Sequence, residues 1–324
     1  MKKKGKKQKQ KVSTKLNLAQ IVGIIFAALF LFLLPGQSYY QTLILNYYPP
    51  KIRSSRFDDF TPSPYPVKFT NAVPPIITAS AAAVIDLDSG VPLYQKSTTL
   101  RLKPASITKL MTALVALDYY QPDDIITVSK LVTISGDSKM GLKLGDQLSV
   151  RSLLYGLLLP SGNDAAYVIA DNIPGGYEQF ITSMNKRAEK LHMYHTHFSN
   201  PTGRDEDDHY STVYDLIILT RAALQNQQVA EVVKTNWTTV LDVFGTKSFP
   251  LKNVNELLTT YTGIYGVKTG YTELAGQCLV ATAKRGNRKI LTVVLNSKDR
   301  FRESTELLNF GFDNFRLKEQ TELR

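Results

Sequence analysis

The chain has 324 residues, 43% of them hydrophobic and 21% charged, which is the balance of a folded protein with room for one large domain or two modest ones. Its formal charge of +11 invites a nucleic-acid reading, but eight lysines and no acid fall in residues 1–15, so the rest of the chain is only about +3 and no nucleic-acid partner is expected. Its one cysteine, Cys278, excludes an intrachain disulfide; within the apolar run QCLVATA it reads as a small buried hydrophobe, and the fold must be held by its core.

Residues 1–15 read as a basic tail on the cytoplasmic side. Leu18–Leu34 follows, 17 residues with one polar member, Gln20. At 1.5 Å per residue it spans about 25 Å, slightly short of a bilayer core of about 30 Å, with Asn17 and Gln37 placed to reach the interfaces. The lysines hold the N-terminal side in the cytoplasm. Two readings compete: a transmembrane signal anchor over residues 16–36, and a signal peptide cleaved after Gly36-Gln37-Ser38. The anchor is favoured, because the site is not Ala-x-Ala and no other anchor is visible. It makes the chain a single-pass protein of the cell membrane, and both readings put the remainder outside that membrane.

Residues 37–76 are rich in tyrosine and proline, with prolines that include Pro49, Pro50, Pro62, Pro64, Pro66 and Pro74. They read as a semi-extended stalk. A folded domain is expected over residues 77–324. It opens with a hairpin, ITASAAAVIDLDSGVPLYQKS, turning at Asp88-Ser89-Gly90. Helices are expected over residues 106–118, in VRSLLYGLLL up to Pro160, in NDAAYVIADNI, in YEQFITSMNKRAEKLH, and after Thr212, whose spacing to Asp215 resembles a capping box. DDIITVS and KLGDQLSV read as short strands or edges. WTTVLDVF, IYGVKTG, QCLVATAKR and KILTVVLNS read as strands, the last two joined by the hairpin pair Gly286-Asn287, and RFRESTELLNFGFDNF as a closing helix. The order predicts an α+β fold, with an antiparallel sheet whose first and last strands meet across a helical insertion.

Ser106 and Lys109 lie one turn apart in PASITKLMTALVAL. An N-cap serine and a snorkelling lysine would explain them structurally. A nucleophile and its base would explain them chemically, because a serine hydroxyl attacks only when something takes its proton. Lysine can do so only when neutral, which requires its pKa to fall by about 3 units through burial or a second cation. The same spacing at Ser183 and Lys186 lies mid-helix and reads as a solvated face. Ser161 and Asn163 sit on a loop between two helices, and Lys268-Thr269-Gly270 interrupts a strand with a glycine, which often marks another backbone close by. Lys268 would supply the second cation. The histidines of HMYHTH have tempting metal spacing, but they follow a helix and lead into a turn, and no metal site is expected; His209 is expected to support the loop before Thr212.

Ser-x-x-Lys, Ser-x-Asn and Lys-Thr-Gly occur in that order, 55 and then 107 residues apart. With HFSNPTG, HYSTVYDL and VKTGYTELAGQCLVATA, they resemble the penicillin-binding D-alanyl-D-alanine carboxypeptidases, relatives of the serine β-lactamases, over residues 78–316. The resemblance implies the β-lactamase/DD-peptidase-like fold, a sheet flanked by helices with a helical subdomain. It implies a substrate, the peptidoglycan stem peptide ending in D-Ala-D-Ala, covalent inhibition by β-lactams, and no cofactor. It also implies roles. Ser106 attacks the penultimate D-alanine carbonyl, Lys109 is the base, and Ser161 relays a proton to the leaving amine. Asn163 holds the acyl-side amide, Lys268 keeps the site positive, Thr269 binds the terminal carboxylate, Gly270 leaves room for the peptide, and the N–H groups of Ser106 and Tyr271 bind the oxyanion. The sequence departs from the family in three ways. Tyr271 stands where many members carry histidine. Val254 stands where some place an arginine, so carboxylate binding should rest more on Thr269 and Lys268. Many relatives continue into a C-terminal β-domain with an amphipathic anchor, whereas here the anchor is expected at the other end. A DD-endopeptidase, a β-lactamase and an inactive surface binding protein of the same fold remain the rivals.

Overall fold

In a computed structural model the described residues are 17–33, 65–130 and 138–318. The expected basic tail and most of the expected stalk lie outside them. Helix α1, Leu18–Leu33, starts on a reciprocal cap in which Asn17 Oδ1 accepts from the Gln20 N–H at 2.9 Å and Gln20 Oε1 accepts from the Asn17 N–H at 3.1 Å. Its 16 residues rise about 24 Å. Among the described residues no helix is long and apolar enough to cross a membrane. The ends of the expected 16–36 span lie outside the described residues.

The second unit, Ser63–Arg324, is built on a five-stranded antiparallel sheet of β2 (Ala81–Asp86), β3 (Pro92–Lys96), β8 (Ile264–Thr272), β9 (Gly276–Arg285) and β10 (Arg288–Ser297), in the order β3-β2-β10-β9-β8. The first hairpin therefore joins the last strands, as the sequence predicts. Its central strands are apolar without alternation because both faces are covered. Ala81, Ala83 and Ile85 of β2, with Leu291, Val293 and Leu295 of β10, face the large helical core. Ala82, Val84, Ile290 and Val294 face Leu307, Leu308 and Phe312 of the closing helix, Arg300–Asn314.

Between β3 and β8 the chain forms α2 (Lys109–Tyr119), α3 (Val150–Leu158), α4 (Asn163–Asn172), α5 (Gly176–Lys190), α6 (Val213–Gln225), α7 (Gln227–Lys234) and the short α8 (Leu257–Thr260); the closing helix is α9. Helix α2 is buried from Lys109 to Ala116 and packs against α3, α4, α5 and α6, so it is the axis of the helical subdomain. Two small antiparallel pairs flank it, β4 (Ile125–Thr127) with β5 (Gln147–Ser149), and β6 (Trp237–Leu241) with β7 (Ser248–Lys252). Thr212 caps α6 by accepting from the Asp215 N–H at 3.1 Å, but only this half of the expected box forms. The Asp215 carboxylate instead accepts from the His195 N–H at 2.9 Å and the Thr196 hydroxyl at 2.7 Å.

The folded unit starts earlier than expected. Strand β1, Tyr65–Lys68, lies inside the stretch read as stalk and pairs antiparallel with β11, Phe315–Lys318, with Pro66 opposite Leu317. A two-stranded ribbon leaves every other N–H free, so it tolerates a proline that a central strand would not. The proline count therefore misplaces the boundary at 77.

Candidate active site

Ser106 lies in a tight turn, Ala105–Thr108, that runs directly into α2. The turn is pinched between two glycines. A Cβ on Gly270 of β8 would sit 2.9 Å from Ala105 Cβ and 3.1 Å from the Ser106 nitrogen, and one on Gly203 would sit 1.7 Å from the Ala105 carbonyl oxygen. Gly270 is thus the close backbone approach that the sequence predicts, made by the turn that carries Ser106. Ala105 is held at φ 49° and Ser161 at φ 62°, the left-handed region that non-glycine residues adopt at a cost. Both strained residues flank the same centre.

Lys109, the first residue of α2, is fully buried. Its Nζ donates to Ser106 Oγ at 2.9 Å, to Asn163 Oδ1 at 2.8 Å and to the Thr202 carbonyl at 3.1 Å, which uses all three ammonium donor positions. Burial pushes its pKa down to about 7, against a smaller upward pull from Asp164. Lys109 therefore has the depressed pKa that a general base at this position would need. Asn163 opens α4 and leaves the capping position to Gly162, so its side chain is free to hold the lysine. Ser161 is 4% exposed, and its hydroxyl has no hydrogen-bond partner among the described residues. Buried hydroxyls are normally paired, so this one is available to a ligand.

Lys268 and Thr269 are also buried, and Lys268 Nζ donates to the Thr269 carbonyl at 3.0 Å. Burial, then Lys109, then Arg300 push the Lys268 pKa well below the ordinary lysine range. Arg300 is a further cation beside the strand, and a guanidinium stays protonated. Arg300 opens α9 and its Nη1 donates to the Gly270 carbonyl at 2.8 Å. Val254 brings no charge here, but an arginine arrives beside Gly270 from the other end of the domain. No local motif marks it. The strand order carries the end of β8 to the start of β9, and from there to the end of β10, from which α9 begins. The Tyr271 side chain is 62% exposed at the rim.

His209 is buried and bridges two segments. Its Nδ1 accepts from the Ser199 N–H at 3.1 Å, so Nε2 carries the proton and donates to Thr108 Oγ1 at 2.9 Å. Burial, Lys103 and His197 lower its pKa to about 4, which keeps it neutral. It ties the loop before Thr212 to Ser199 and also braces the turn that carries Ser106. The Ser183–Lys186 pair behaves differently from Ser106–Lys109: Ser183 Oγ bonds the Gln179 carbonyl of its own helix and the Tyr119 hydroxyl at the end of α2, and Lys186 is exposed.

The model of the family described as D-alanyl-D-alanine carboxypeptidase matches residues 68–299. The chain belongs to this family. It is 36% identical over 245 residues to D-alanyl-D-alanine carboxypeptidase DacF of Bacillus subtilis, an alignment covering 73% of this chain and 63% of that one. It is 37% identical over 261 residues to DacD of Escherichia coli, covering 75% and 65%. The chain thus spans a little under two thirds of the length of these curated relatives. The crystal structure of the Streptomyces K15 DD-transpeptidase, 36% identical, superposes with a TM-score of 0.71 over 75% of this chain and 100% of that one. Family membership and this likeness establish the penicillin-binding DD-peptidase fold.

Proposed function

We propose that the protein is a serine-type D-Ala-D-Ala carboxypeptidase that removes the terminal D-alanine from peptidoglycan stem peptides. The observation that carries this reading is the buried Lys109 ammonium, with a pKa near 7, within 2.9 Å of Ser106 Oγ. Ser106 attacks the penultimate D-alanine carbonyl while Lys109 takes its proton. Ser161, with its unpaired hydroxyl, passes a proton to the departing D-alanine, and Asn163 keeps Lys109 aligned and receives the acyl-side amide. The backbone N–H groups of Ser106 and Tyr271 receive the oxyanion. An incoming terminal carboxylate meets Thr269, Lys268 and Arg300. Water then releases the acyl-enzyme, and β-lactams acylate the same serine. Labelling with a fluorescent penicillin, followed by mass spectrometry of the labelled peptide, tests this reading; a label on any peptide without Ser106 overturns it.

Recognition of the free carboxylate separates a carboxypeptidase from its rivals. A peptide ending in D-Ala-D-Ala should be cleaved, and the same peptide amidated at its C-terminus should not. Thr269→Val should lower kcat/KM on the free acid roughly ten- to a hundredfold, from the about 1.5–3 kcal/mol of a hydrogen bond to a charged group. It should leave the amidated peptide nearly unaffected. Steady-state kinetics on both peptides check this: equal rates indicate an endopeptidase, and rapid turnover of penicillin indicates a β-lactamase.

The same reading makes residues 1–15 a cytoplasmic tail, 16–36 a membrane anchor, and the folded unit an extracytoplasmic catalytic domain. The apolar composition of α1 and the lysines before it support this. The mature protein should retain residues 1–38 and sediment with membranes in high salt. An N-terminus at Tyr39 in the isolated protein would establish a cleaved signal instead.

A further inference from the structure

Asp164 follows Asn163 directly and is 6% exposed. Such a carboxylate, one residue from the Ser161–Asn163 loop, has the location of a deacylation base, but its hydrogen bonds give it a different task. Oδ1 accepts from the N–H groups of Met140 and Ala165, both at 2.9 Å. Oδ2 accepts from those of Gly141 at 2.8 Å and Leu142 at 3.1 Å. Four backbone donors occupy the carboxylate's acceptor sites, so it has no lone pair in a position to activate water.

The segment it grips lies against the back of the Ser161–Asn163 loop. The Asn163 N–H donates to the Ser138 carbonyl at 2.8 Å, and the Gly162 N–H donates to the Gly156 carbonyl at 2.9 Å. The packing leaves no slack. A Cβ on Gly162 would lie 2.9 Å from Asp164 Oδ1 and 3.1 Å from the Met140 nitrogen, and one on Gly156 would lie 2.1 Å from Met140 Sδ. Ser161, held in the left-handed region, has no hydrogen bond of its own side chain to fix it.

We propose that Asp164 is a positioning residue that clamps residues 138–142 against the Ser161–Asn163 loop, and so fixes the Asn163 amide that aligns Lys109. The inference rests on the proposed acyl-transfer reading of the site. The same carboxylate supplies the negative charge that pulls the Lys109 pKa upward. The other charged or titratable groups around Lys109 are Lys268 from β8, Arg300 from α9 acting through Lys268, and His209 against Thr108, which is neutral near pH 7. Asp164 is the one anion in that set, so its removal should stabilise neutral Lys109 and let it deprotonate at lower pH.

The test compares the pH profile of penicillin acylation in the full chain with those of Asp164→Asn and Asp164→Glu. In Asp164→Asn the carboxamide turns N–H groups toward donors that need an acceptor, so the plateau rate should fall roughly ten- to a hundredfold, as expected for a displacement of about 1 Å at the reacting groups. Its acid limb, near pH 7 in the parent, should move to lower pH. Asp164→Glu keeps the charge but misplaces the carboxylate, so its plateau should fall while its limb stays. A plateau within twofold of the parent, or an unmoved limb in Asp164→Asn, overturns the proposal. If neither variant folds, hydrogen exchange in the unaltered protein decides: the Gly141 and Leu142 amides should be protected, and exchange at the rate of an open loop overturns it. A parent that is not labelled on Ser106 would instead overturn the functional reading.

Discussion

Lys109→Arg should lower the rate of acylation by several orders of magnitude while the fold survives. Arginine keeps the charge but cannot serve as a base, because its guanidinium stays protonated at any pH the fold tolerates. General-base assistance alone is worth about 10²–10⁴-fold. The planar fork would also have to replace three hydrogen bonds that converge on one nitrogen, to Ser106, Asn163 and Thr202. The parent should show an acid limb: with a Lys109 pKa of about 7, acylation should rise with pH through 7 as the ammonium loses its proton. The variant should lose that limb along with the rate. Lys268→Arg should be milder, since a positive charge is all that its proposed role asks. Stopped-flow acylation measured from pH 5 to 9 checks both variants. A larger loss in Lys268→Arg than in Lys109→Arg would reverse the assignment of the two lysines.

The contrast between those lysines also shows what a linear sequence can carry. Ser106 and Lys109 share one turn, and burial of the helix they open was legible from the apolar run behind them. Ser161, Asn163 and Lys268 were legible only as parts of an ordered set, since a helix stop and a strand glycine explain each alone. The sheet was legible because the two-residue period of β2 and β10 is filled with apolar residues on both faces. Helix α7 was not, because its eight residues carry only Val229, Val232 and Val233 as a buried stripe after the Asn226 cap. The Thr202 carbonyl was out of reach for a different reason: any residue supplies a carbonyl, and only the folded NPTG turn aims this one at Lys109. Arg300 depended on strand order, which places the first turn of the last helix beside β8. Contacts between elements far apart in the chain leave no local pattern, and they hold most of what the sequence does not show at this site.

Ser106→Ala should abolish covalent labelling by penicillin, and Ser183→Ala should leave it intact. Both serines precede a lysine by three residues, so spacing does not distinguish them. Their surroundings do. Ser106 sits in a strained turn between Gly203 and Gly270, with the nitrogen of a buried lysine 2.9 Å from its oxygen. Ser183 lies in the middle of α5, where its hydroxyl donates to the Gln179 carbonyl at 2.9 Å. That bond ties the hydroxyl to its own helix, and Lys186 stands exposed to solvent. Loss of the Ser183 hydroxyl on a half-exposed helix face should change stability by no more than about 0.5 kcal/mol. Alanine at 106 should be tolerated as well, since the Lys109 ammonium keeps Asn163 and Thr202 as acceptors. The two variants should therefore melt alike and differ only in labelling. A gel of the labelled proteins beside their melting curves checks this, and a labelled Ser106→Ala would transfer the nucleophile's role to another side chain.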